Sequence, residues 1–72
     1  MSYILITEEI EIGQKDIVID PENKLYQIVD KDPTFNRVML HLFNGEESDP
    51  EKKIIVHAQS MVNKWRKLII KK

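Results

Sequence analysis

The chain has 72 residues, 42% of them apolar and 32% charged, with 11 Lys and Arg against 12 Asp and Glu. That is enough for one domain (1–72), too apolar for disorder, and with 2 Gly and 3 Pro too poor in both for collagen, linkers or repeat arrays. Zero Cys excludes disulfide scaffolds, iron–sulfur sites and thiol catalysis, and the longest apolar run is the four residues Tyr3–Ile6, against the roughly 20 that a membrane span needs.

The N-terminal half reads as strands. Across residues 3–12, Ile4, Ile6, Ile10 and Ile12 share one face, and Tyr3, Leu5, Thr7, Glu9 and Glu11 share the other. Period two with β-branched residues on one side predicts a half-buried strand. Gly13-Gln14 interrupts it, and residues 16–20 form a short apolar strand. Asp20-Pro21-Glu22-Asn23 has turn composition, because Pro presets φ and Asn tolerates the left-handed region. Residues 24–30 form a third strand, broken by Lys31-Asp32-Pro33. Three strands joined by short connections predict an antiparallel meander over 3–30.

The second half admits two readings. Residues 37–43 alternate as a strand with Val38, Leu40 and Leu42 on one face. Phe35, Val38, Met39, Leu42 and Phe43 also fit a helical stripe. Residues 54–60 alternate in the same way, whereas Ile55, Ala58, Met61, Val62, Trp65, Leu68 and Ile69 fit a helix that Ser48-Asp49-Pro50-Glu51 would cap. β-Branched and bulky residues on both faces, together with the hairpin dipeptide Asn44-Gly45, favour strands. The expected fold is therefore mostly β: five or six short antiparallel strands, a helical turn near residues 60–64, and a last strand over 65–70. The alternative is α+β, with the meander followed by helices over 33–44 and 50–70.

Ile12-Gly13 leading into Ile17-Val18-Ile19, then Leu25-Tyr26-Gln27-Ile28-Val29, then Ile55-Val56-His57-Ala58 with Met61 and Trp65-Arg66-Lys67-Leu68, resembles a small SH3-like barrel. Such barrels occur in KOW-type and many phage-encoded accessory domains. The resemblance covers most of the chain through loose apolar spacing, and it implies a fold and a binding role without carrying over any functional residue. The only aromatics are Tyr3, Tyr26, Phe35, Phe43 and Trp65, which departs from the aromatic-rich groove of proline-binding SH3 domains.

Charge is strongly segregated. Residues 1–51 hold all twelve acids against four bases, a net −8, and residues 52–72 hold seven bases and no acid, a net +7. The basic end either forms a contact surface or lies against the acidic body. Lys52, Lys53, Lys64, Arg66, Lys67, Lys71 and Lys72 would touch phosphates while Trp65 stacks on a base, unless Trp65 is the core aromatic. The acidic part would instead meet a basic protein surface, even as a nucleic-acid mimic.

Catalytic signatures are sparse. Gly13 and Gly45 are too far apart for a phosphate-binding loop, and the serines lack flanking glycines. The acids cluster at turns and in one loop. His41 and His57 would face each other if strands 37–43 and 54–60 paired in that register, but no metal is expected. A core of this size supplies only about 3–5 kcal/mol, too little for a strained, desolvated catalytic pocket. The expectation is a non-enzymatic interaction module with no cofactor, docking onto another protein or onto itself through an outward strip of Met39, His41 and Phe43, unless those three belong to the core. The alternative is a nucleic-acid binder using residues 52–72. Early acids (Glu8, Glu9) argue against a secretion signal, which predicts a cytoplasmic chain. Richness in Ile and Lys fits a phage source, and then a virion-associated place.

Overall fold

A computed structural model describes residues 2–69 of the chain. Six strands form one antiparallel sheet: β1 (Ser2–Leu5), β2 (Ile17–Ile19), β3 (Leu25–Asp32), β4 (Arg37–Phe43), β5 (Ser48–His57) and β6 (Arg66–Ile69). One helical turn, α1 (Ala58–Met61), precedes β6. Across the sheet the order is β1-β6-β2-β3-β4-β5. The mostly-β reading therefore holds, and neither the 33–44 nor the 50–70 helix forms. Both segments instead extend into the β4–β5 ladder, where Val38 meets Val56, Met39 meets Ile55 and Leu40 meets Ile54. β-Branched side chains on facing strands pack well there and crowd a helical turn.

The N-terminal meander is corrected. β6 lies between β1 and β2, pairing Tyr3 with Leu68 on one side and Val18 with Lys67 on the other. The first strand also stops at Leu5, because residues 7–10 turn: the Ile10 N–H donates to the Thr7 carbonyl and the Glu9 N–H to Thr7 Oγ1. Ile6 and Ile12 nevertheless reach the core from this loop, at 2% and 9% exposure. Their common face was legible in the periodicity; their conformation was not.

Two lysines fasten the long β1–β2 connection. Lys31 Nζ donates to the Ile12 carbonyl at 2.7 Å, and Lys67 Nζ to the Glu11 carbonyl at 2.8 Å. Asp16 accepts the Gly13 N–H at 2.8 Å and pairs with Lys67 at 3.3 Å. At least one residue of the basic end thus lies against the acidic body.

The turns obey their composition. Asp20 Oδ1 accepts the Glu22 and Lys24 N–H groups, and Asn23 takes a φ of 69°. Asn44 Oδ1 accepts the Glu46 and Glu47 N–H groups, and Gly45 sits at φ 103°, a conformation that costs glycine little. This hairpin starts β5 at Ser48, not at residue 54 as the alternation implied. Between Lys53 (opposite His41) and Asp49 (opposite Leu42), Pro50, Glu51 and Lys52 bulge out of the ladder.

The core is Ile6, Ile12, Val18, Ile28, Val38, Leu40, Met61 and Trp65, with Tyr26, Val56 and Ala58 packed against it. α1 brings Met61 fully into this core. The turn falls slightly before the expected 60–64, and Trp65 follows it, its ring 5.7 Å from that of Tyr26 and tilted by 40°.

Candidate interaction surface

Alternation along β4 divides its side chains cleanly. Val38 and Leu40 are buried, so the residues between them, Arg37, Met39, His41 and Phe43, point to the opposite, outer face. Paired residues share a face, which places Asp30 and Ile55 beside Met39, Gln27 and Lys53 beside His41, and Ser48 beside Phe43. Met39, His41 and Phe43 are half-buried, and Ile55 is 56% exposed. The one described helix inserts Met61 into the inner side, so no described helix covers this row. The register thus sets Met39, His41, Phe43 and Ile55 side by side on the outer face.

A bulge in β3 shapes one end of it. The register shifts between Ile28 and Asp30, which turns Asp30 toward Met39. Asp30, Lys31, Asp32, Arg37, Met39 and Ile55 line a cleft of about 170 Å³ there. Arg37 lies 4.8 Å over the Phe35 ring and 3.4 Å from Asp32. Phe35 is 61% exposed, so the hairpin tip presents an aromatic clamped by a guanidinium.

The basic candidates do not form one patch. Lys52 and Lys53 lie at the β5 bulge, where with Lys24, Tyr26, Leu42 and Ile54 they line an open groove of about 460 Å³. It adjoins a larger groove of about 570 Å³ that reaches Glu47 and Asp49. Lys64, Arg66 and Lys67 belong to the β6 side, separated along the sheet by β2, β3 and β4. Lys67 is engaged with Asp16, and Lys71 and Lys72 lie outside the described residues. Trp65 is 9% exposed and packs on Tyr26, so its ring is not presented to a base.

The imidazoles do not face each other. His41 stands opposite Lys53 and His57 opposite Arg37, because the β4–β5 register places them at different rungs of the ladder. Among the described residues no group of three or more His, Asp or Glu side chains converges to hold a metal ion, and no helix is long and apolar enough to cross a membrane. No protein-family model, curated protein or solved structure matches the chain. Two surface residues escaped sequence reasoning. The alternation over 54–60 does not set Ile55 beside Met39; only the strand register does. Lys24 carried no signal at all.

Proposed function

We propose that this chain is a non-catalytic interaction module that docks onto a basic, partly apolar protein surface through the outer row of β4 and β5. The observation that supports it is the uncovered row Met39, His41, Phe43 and Ile55. Singly exposed apolar residues need no explanation, whereas a contiguous apolar row rimmed by charge marks a contact surface. The rim mixes Asp30 and Asp32 with Lys31 and Arg37; the −8 carried by residues 1–51 is what favours a cationic partner. The absence of catalysis belongs to the same proposal, because a core of this size supplies only about 3–5 kcal/mol and cannot hold a strained site. Kinship with small SH3-like barrels is likewise proposed, supported by six antiparallel strands and a helical turn before the last one. So is a cytoplasmic place, or a virion-associated one if a phage encodes the chain.

The test is affinity capture from host lysate at low and high salt, using the wild-type chain and Met39→Lys. A basic protein retained by the wild type, released by salt and absent with the variant supports the reading. Equal capture by both, or none by either, removes it.

One observation favours a second reading, nucleic-acid binding. Lys24, Lys52 and Lys53 surround one groove beside Tyr26, and neither Lys52 nor Lys53 makes an ion pair among the described residues. A gel shift with single- and double-stranded nucleic acid at low salt separates the two readings. The docking module gives no salt-sensitive shift.

A further inference from the structure

Tyr3, Leu5, Ile54 and Ile55, four of the five large apolar residues exposed on the described surface, sit on β1 and β5, the two outermost strands of the sheet. β1 pairs only with β6 and β5 only with β4, so each leaves one edge of backbone N–H and C=O groups without a strand partner. Native sheets blunt such edges with bulges, prolines and lysines. Here those devices sit at Pro50, Glu51 and Lys52, and the regular stretch of β5 from Lys53 to His57 lies beyond them. We propose that the β1 edge of one copy pairs antiparallel with this stretch of β5 on a second copy, joining subunits head to tail.

Charge selects the direction. β1 runs toward the exposed acids Glu8 and Glu9, and the regular stretch of β5 begins at the exposed bases Lys52 and Lys53. Among the described residues none of these four makes an ion pair. Antiparallel pairing brings the turn over residues 7–10, which carries the acids, to the end of β5 that carries the bases; parallel pairing would leave the lysines near Ser2 and the acids near His57. The pleat selects the register. Tyr3 and Leu5 share the outer face, opposite to Ile4, whose cross-strand partner Lys67 shares its face with buried Val18. On β5, Ile55 faces out, and Val56 faces in beside buried Val38. Leu5 opposite Ile55 keeps each face continuous, with Ile4 opposite Val56 and Tyr3 opposite His57. Two different edges meet, so the contact is heterologous and each subunit retains one free edge of each kind until a ring closes.

Sedimentation equilibrium on the full chain tests this directly. Wild-type protein associates beyond a dimer as concentration rises. Leu5→Lys blocks one edge and Ile55→Lys the other, so each variant alone is monomeric, and their equimolar mixture stops at a dimer. Both side chains are exposed, and wild-type circular dichroism is expected for both variants. A wild-type monomer at millimolar concentration, an Ile55→Lys/Leu5→Lys mixture that stays monomeric, or a Leu5→Lys variant that still associates (β5 pairing with itself) each overturns it. If either variant misfolds, charge reversal decides. Lys52→Glu/Lys53→Glu dissociates the assembly, and mixing it with Glu8→Lys/Glu9→Lys restores association beyond a dimer, because both junctions of the mixture then set acids against bases; no restoration overturns the proposal. The docking row shares Ile55 with this edge, so Leu5→Lys, which lies outside that row, separates the two: it abolishes self-association and leaves capture of the basic partner intact.

Discussion

Met61 shows how much one side chain carries in so small a domain. It enters the core from a four-residue helical turn and is fully buried beside Trp65. Truncating a buried Met to Ala typically costs about 2–5 kcal/mol, comparable with everything a core of this size supplies. Met61→Ala is therefore expected to be largely unfolded at room temperature, by loss of the cooperative urea transition. Phe35→Ala gives the contrast. Phe35 is 61% exposed with the Arg37 guanidinium over its ring, so its loss is expected to change stability by no more than about 1 kcal/mol. A larger loss would mean that the hairpin tip anchors the sheet. Gly45 tests backbone strain apart from contacts. A Cβ there would meet nothing within 4 Å, yet φ is 103°. Gly45→Ala is expected to cost about 1 kcal/mol through conformation alone, read as a lower urea midpoint with an unchanged slope.

Strands in the middle of the sheet and at its margins differ in what holds them. β3 and β4 are paired on both sides and supply Ile28, Val38 and Leu40 to the core, whereas β1 has one partner strand and four residues. Hydrogen exchange is expected to be slowest at the amides of β3 and β4 and fastest in β1 and around the Pro50–Lys52 bulge. Uniform protection would show that the sheet opens only as a whole. The loop over residues 10–16 should be protected more than its lack of regular structure implies, because Lys31, Lys67 and Asp16 hold it. Lys67→Met keeps the apolar stem over the core but removes the ammonium, so it is expected to speed exchange across this loop while leaving β4 unchanged.

Across the whole molecule, the near-neutral total charge conceals two uses of the basic end. Lys67 is absorbed into the fold through Asp16 and Glu11, and Lys52 and Lys53 stand free at the far margin of the sheet. Exposed ion pairs contribute little, so salt is expected to shift the melting temperature of a dilute sample only slightly. Binding to a basic partner, or pairing of β1 with β5 between copies, should by contrast weaken steeply with salt.

Period-two alternation and turn composition determined the strand content, because side-chain facing and φ preference are local properties. Alternation put Val38, Leu40 and Leu42 on one face, of which Val38 and Leu40 are buried and Leu42 is half-buried; for Val18 and Ile28 it gave a strand without saying which side chain turns inward. The order of the strands was not legible there. Placing β6 between β1 and β2 depends on pairings 61–67 residues apart on one side and 47–49 on the other, and nothing local in Tyr3 or Leu68 specifies the partner. The same holds for the rung at which β4 meets β5. That register parts His41 from His57, sets Ile55 against Met39 and forms the Pro50–Lys52 bulge. Pairing is decided by which apolar faces close over one shared core, a property of the folded sheet and not of any single segment.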